Sequence, residues 1–185
     1  PKTQIVYLDS NELAKLEEYS FAQTRLEQVR DMFVFCCYTG LAYAEMSALS
    51  SEHIIDGFDG NKWIQIHRKK TNAKVSVPLL PKALAILTSQ NNISSNKLLP
   101  VISNQKFNSY LKEIAEIVGI EKRLTHHIAR KTFATTVLLY NDVPMEVVSE
   151  LLGHSKLDIT QKHYAKVVQK KVSEHIKLLA RKLND

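Results

Sequence analysis

Between His53 and Leu79 the apolar period of this chain shortens, and that change limits its fold more than any other feature. The run Trp63 to His67 (WIQIH) alternates, as does Val75 to Val77 (VSV), and Asp59-Gly60 is a hairpin signal. Three short antiparallel strands are expected near 53–57, 62–68 and 74–78. Helical patterns lie on both sides. Asp9 with Glu12 starts a helix over Ser10 to Tyr19, and a strongly apolar helix runs from Phe21 to Tyr38 until Thr39-Gly40 stops it. Tyr43 to Leu49 is a short third helix. Pro81 opens one that ends near Gln90, before a polar loop of Asn91, Asn92, Ser94, Ser95 and Asn96. Ser103 caps a helix that ends at Gly119, and helices over 125–140 and 144–152 follow. The last, about 166–183, carries the stripe Val168, Val172, Ile176, Leu179 and Leu183, an apolar face suited to folding back on its own core. The fold class is therefore α+β, mostly α, with one small three-stranded sheet.

Apolar residues make up 44% of the chain, enough for one domain with a real core over 1–185. No apolar run reaches membrane length and no signal peptide opens the chain, so no membrane partner is expected. Cys36 and Cys37 are adjacent and cannot form an ordinary structural bridge, which fits a reducing, cytoplasmic setting. The opening Pro1 suggests a piece of something longer.

The net charge of +6 is unevenly spread. From Gly60 through Lys112 there is no acidic residue, while Lys62, Arg68, Lys69, Lys70, Lys74, Lys82, Lys97, Lys106 and Lys112 are basic. The rest of the chain is net acidic. Such a block suits phosphate neutralisation, and nucleic acid is favoured over a merely solvated surface.

Leu124 to Tyr164 concentrates the chemistry. His127 and Arg130 are three apart and share a helix face, with Thr125 as N-cap. Steps of 100° place them among Phe133, Ala134, Val137 and Leu138, on the apolar side. A buried guanidinium needs an anion, either an internal carboxylate or a phosphate. Asp142 and Pro144 start the next helix and Gly153 stops it, so His154 lies in a tight turn beyond a helix C-terminus. Tyr164 follows a polar segment with helix-start character (Asp158, Thr160). Taken singly, a tyrosine there is more often packing than nucleophile.

The ordered boxes HHIARKTFATT, LLGHS and ITQKHYAKV, with the Thr-Gly-Leu box at Thr39 to Leu41 and the hairpin ending Val77 to Leu79, resemble the catalytic domain of the tyrosine recombinases, the integrases of phages and mobile elements. The resemblance covers nearly the whole chain and implies the helical fold of DNA breaking-rejoining enzymes. It implies DNA integration and recombination by strand cleavage and rejoining through a 3′-phosphotyrosyl link. Tyr164 would attack phosphorus, Arg130 would clamp the non-bridging oxygens, and His127 and His154 would add donors or move protons. The family's lysine maps to Lys70, which would protonate the leaving 5′ oxygen. Arg68, Lys69, Lys74 and Lys62 are expected to bind DNA. No metal or nucleotide cofactor is implied. The expected partner is double-stranded DNA, held by a homotetramer, with a monomer allowed off DNA and the C-terminal helix docked in trans. A separate N-terminal domain that grips the core site is expected to lie outside this chain.

One departure stands out. The family's first arginine follows Thr-Gly-Leu, and here that position is Ala42, although Glu45 matches the acidic residue of the same box. Arg30 is the first candidate to replace it, with Arg25 and Arg68 as alternatives. A competing reading is a DNA-binding module that has lost catalysis. Two further readings are a metal site on His126, His127, His154 and His163, whose spacing matches no common zinc pattern, and a type IB topoisomerase, whose box spacing differs.

Overall fold

The computed structural model describes residues 5–68, 70–90 and 96–184. Helix α1 (Ser10–Glu18) opens with the expected capping box: Asp9 Oδ1 accepts from Glu12 N–H at 2.8 Å, and Asp9 N–H donates to Glu12 Oε1 at 3.0 Å. Helix α2 (Thr24–Thr39) is the axis of the molecule, packed by α1 and by the later helices α4 (Pro81–Ser89), α5 (Asn104–Val118) and α6 (His126–Thr132). From Met32 to Cys37 every side chain of α2 is buried, as befits a helix apolar all round. It begins at Thr24 rather than Phe21, because Tyr19 and Phe21 pack ring against ring, 4.6 Å apart, in the turn before it. Gly40 ends it at φ +72°, donating to Cys36 O at 2.9 Å. A Cβ at Gly40 would lie 2.5 Å from the Phe133 ring, so the position needs glycine for space as well as for its left-handed backbone.

The short helix α3 (Tyr43–Ala48) leads through a 3₁₀ turn to the sheet β1 (Ile54–Asp56), β2 (Lys62–His67) and β3 (Lys74–Pro78), antiparallel in the order β1-β2-β3. Ile64 pairs with Val77 and Ile66 with Val75, and these four bury one face. Helix α5 has Ser103 as N-cap, accepting from Lys106 N–H, and Gly119 as stop. The expected polar loop falls largely on 91–95, outside the described residues.

Three expectations change. Thr125 is the N-cap of α6 by position, but its side chain makes no capping bond; Asn108 of α5 accepts from His126 N–H at 3.2 Å instead. The single helix expected over 125–140 becomes α6, a π-helical stretch Phe133–Leu138 and a 3₁₀ turn Leu139–Asn141. Thr132 and Thr135 hydroxyls donate to Ile128 O (2.8 Å) and Lys131 O (2.6 Å), and such back-bonding competes with the regular ladder. His127 is exposed rather than set among apolar residues. Beyond α7 (Met145–Leu152), the two expected C-terminal segments are one helix, α8 (Leu157–Asn184), kinked at Tyr164 (φ −111°, ψ 15°).

The stripe on α8 does not fold back on the core: Val168, Val172, Ile176, Leu179 and Leu183 are all exposed. Lys171 ties the middle of the helix down by donating to Leu139 O and to Asp142 Oδ1 (2.9 Å).

Candidate active site

Two helix stops meet at Arg130. Its Nη1 donates to Gly40 O at 2.8 Å, just past the end of α2, and its Nη2 donates to Leu152 O at 2.7 Å, the last residue of α7. Both carbonyls belong to helix C-termini, where the dipole favours a cation. Burial still pushes the guanidinium pKa down to about 10, and the neighbouring Arg68 adds to that, while Tyr164 and Glu45 oppose it. Arg130 therefore stays charged at neutral pH and is held from behind.

Arg68 is the first residue after β2. Its backbone N–H donates to Ala73 O at 2.9 Å, closing the β2–β3 turn, and its side chain runs over Gly153. A Cβ on Gly153 would lie 3.0 Å from Arg68 Nε and 2.7 Å from Val75 Cγ2, and Gly153 also sits at φ +70°. The glycine that stops α7 is thus what lets the hairpin pack so closely. Arg68 Nη1 lies 3.6 Å from Glu45 Oε1, on α3, with side chains only 13% and 10% exposed. Its Nε and Nη2 are buried without a hydrogen-bond partner among the described residues. Burial lowers the Arg68 pKa and Glu45 opposes the change.

His154 follows directly. Its backbone N–H donates to Ser149 O at 3.1 Å, and its Nδ1 lies 2.5 Å from Thr160 Oγ1 at the start of α8. Burial first, then Arg130, His163 and Arg68, push the imidazole pKa below its ordinary value, so the ring is neutral near pH 7. Tyr164 is 3% exposed at the kink of α8. Burial raises its phenol pKa and Arg130 acts in the opposite sense. Arg130, Arg68, Glu45, His154 and Tyr164, drawn from five separate segments, thus form one electrostatic unit.

The remaining expected residues divide. His127 is exposed one turn before Arg130, its ring 3.9 Å from that of His126. Lys70 is exposed in the β2–β3 turn, two residues beyond Arg68; Lys69 lies outside the described residues. Lys74 is exposed at the start of β3, paired across the hairpin with His67. Lys62 stands at the far end of β2, roughly 20 Å from Arg68 at about 3.3 Å per residue, and pairs with Asp56 at 2.5 Å. Lys82 pairs with Glu17. The basic block of the sequence is therefore not one surface.

Arg30 is not brought to Arg130. Its Nε pairs with Asp31 at 2.8 Å, and its Nη1 donates to Leu16 O (3.0 Å), Glu17 O (3.3 Å) and Tyr19 O (2.7 Å), closing the end of α1. Helix α2 continues regularly from there to Thr39, so Gly40 lies about 15 Å further on at about 1.5 Å per residue. Arg25 is held by Glu113 through two bonds of 2.7 and 2.8 Å. Sequence reasoning missed Thr160 as the partner of His154; the five residues between them carry no periodic signal. Among the described residues, no three His, Cys, Asp or Glu converge as a metal site, and no helix is long and apolar enough to cross a membrane.

A helical domain with one three-stranded sheet, carrying this pocket, is the fold of the tyrosine recombinase catalytic domain. The XerA recombinase matches over 95% of this chain and 66% of its own, with TM-score 0.71 and 22% identity. A lambda integrase dimer bound to a COC′ core site matches over 88% of this chain and 60% of its own, with TM-score 0.68 and 16% identity. A tyrosine recombinase of Pseudothermotoga lettingae is 31% identical over 184 residues, which is 94% of this chain and 60% of that protein. XerD of Halalkalibacterium halodurans is 40% identical over 76 residues, 40% of this chain and 25% of the relative. The chain thus spans 60% or less of the length of these two curated relatives. It belongs to the phage integrase family, whose model matches residues 7–171, and the resemblance read from its motifs is borne out.

Proposed function

We propose that this chain is the catalytic part of a site-specific DNA recombinase that cuts and rejoins strands without a metal. The observation that carries the proposal is the approach of a neutral imidazole (His154) and a phenol (Tyr164) to one fixed, half-buried guanidinium (Arg130), which Gly40 O and Leu152 O hold in place. Tyr164 Oη attacks the phosphorus of a phosphodiester. The bond to the 5′ oxygen breaks, and a 3′-phosphotyrosyl ester forms. Arg130 already spends two donors on Gly40 O and Leu152 O, so its position is set before DNA arrives and no reorganisation is needed as charge builds on the phosphate. The phenol proton passes to a neutral imidazole, a role open to His154 because its lowered pKa leaves the ring unprotonated near pH 7. The exposed ammonium of Lys70 gives its proton to the departing 5′ oxygen. His127, exposed on the same helix as Arg130, donates to a phosphate oxygen. The partner is double-stranded DNA, approached by the turn bearing Lys70 and by Lys74. The resealing step is the reverse, with a 5′-hydroxyl attacking the tyrosyl ester. A tetramer on two duplexes, with the exposed stripe of α8 docked on a neighbour, fits the apolar face left uncovered here.

Tyr164 is buried and its backbone leaves helical geometry at that residue, which supports a swing of the first part of α8 on engagement of DNA. The test is covalent capture. The full-length gene product is mixed with a pool of nicked duplexes of randomised core, and trapped DNA is recovered through the protein. Capture that Tyr164→Phe abolishes and chelator leaves intact is the expected result. Cleavage that survives Tyr164→Phe, or no capture from the pool, contradicts it.

A further inference from the structure

The strand-cleavage chemistry calls for more than one fixed cation on the phosphate, and the usual second position is an alanine, Ala42. We propose that Arg68, delivered by the β2–β3 hairpin, is that second guanidinium and is a catalytic residue that grips the scissile phosphate beside Arg130. This deepens the proposed function and rests on it.

Four observations carry it. Arg68 Nε and Nη2 are buried with no acceptor among the described residues, and a buried donor left unpaired is costly unless something arrives to take it. Its contact with Glu45 is a single approach of 3.6 Å, whereas Arg25, a structural arginine, holds Glu113 through two bonds of 2.7 and 2.8 Å. Arg68 is thus not a satisfied internal ion pair. Arg68 also lies close enough to Arg130 to oppose its protonation, and both guanidiniums are drawn toward Glu45. Two half-buried guanidiniums share the neighbourhood of one carboxylate, so a phosphodiester monoanion would make the pocket neutral. Finally, Glu45 is three residues past Ala42 on the same helix start, within reach of any long side chain at that position. The carboxylate that would have oriented an arginine at 42 instead meets one that comes from the hairpin. Gly153 makes this entry feasible, since its missing Cβ is the surface over which the Arg68 stem lies. One turn then supplies both the clamp, Arg68, and the candidate acid, Lys70, so that engaging the hairpin would position two functions together.

The test uses the full-length gene product and a duplex recovered by covalent capture, prepared with either an ordinary scissile phosphate or a neutral methylphosphonate at that position. A cation whose task is to balance phosphate charge matters less on the neutral substrate. Arg68→Ala should slow capture on the phosphodiester by about 10²–10³-fold, the loss typical of one transition-state donor, and the deficit should shrink by about tenfold or more on the methylphosphonate. Ala42→Arg added to Arg68→Ala should restore part of the rate. An equal deficit on both substrates, or no deficit, overturns the proposal. If Arg68→Ala does not fold, as judged by its melting curve, Arg68→Met keeps the stem over Gly153 and carries the same comparison. Failure of the wild-type protein to capture DNA at all would instead overturn the parent reading, and the two failures are distinct.

Discussion

The two ends of α2 each hold a pair of arginines nearby, and they are built in opposite ways. Along its first turns, Arg25 has a bidentate carboxylate and a tyrosine ring 4.8 Å from its guanidinium carbon, and Arg30 has a carboxylate and three carbonyls. Every one of those partners belongs to the chain. Beyond its last turn, Arg130 leans on two helix-end carbonyls, and Arg68 reaches one carboxylate at 3.6 Å with two buried donors unmatched. The first end is scaffold. The second is short of acceptors while out of water, which is the condition of a site whose anion comes from outside.

The comparison can be broken at either end. The largest effect should come from Tyr164→Phe, which removes the nucleophile and keeps the buried ring: covalent capture of nicked DNA falls to background, with the melting temperature changed by little. Arg130→Ala should follow, with capture about 10²–10³-fold slower. It should also lose stability in denaturant titration, because hydrogen bonds from a charged group contribute about 1.5–3 kcal/mol each. Gly153→Ala forces a methyl to within 2.7 Å of Val75 Cγ2 at φ +70° and should cost about 1–3 kcal/mol, while displacing Arg68 and slowing capture. Arg30→Ala should destabilise by about 1–3 kcal/mol by freeing the carbonyls at the end of α1, yet leave capture per folded molecule unchanged. A catalytic loss there would erase the distinction between the two ends. The smallest effect concerns His154. Its pKa in the folded protein is pushed below the ordinary 6.5, so its contribution to stability is complete above that pH and declines as pH falls through the folded value. His154→Gln should remove that part of the acid-side decline in an unfolding series.

Much of the scaffold was legible because its signals are local. Asp9 with Glu12, Ser103 before Asn104, Pro81 at a helix start, and Gly119 and Gly153 past helix ends each act on backbone groups within a turn, and the structure uses all of them. The alternation in WIQIH and VSV is equally local, and it set the register that buries Ile64, Ile66, Val75 and Val77. The departures are tertiary. The π-helical stretch after Thr132 arises from threonines that compete for carbonyls, and it breaks the 100° steps that set His127 on one face with Val137 and Leu138. The two segments around Tyr164 joined into one helix because nothing between Leu157 and Asn184 breaks the chain except the local kink at the tyrosine. The place of the second arginine was hidden for a related reason. Arg30 is nearer to Ala42 in sequence, but a straight helix carries it away, while Arg68 returns through a hairpin whose docking on α7 depends on the missing side chain of Gly153. No pattern within either segment records that contact.

The most direct test of the account is to identify the atom that holds the DNA. Captured complexes from the full-length gene product would be digested with nuclease and trypsin and sequenced by mass spectrometry. The account predicts a 3′-phosphonucleotide on Tyr164, in the peptide His163 to Lys166, with a free 5′-hydroxyl on the other side of the break. A nucleotide on any other residue, or a link to the 5′ side of the break, would contradict it.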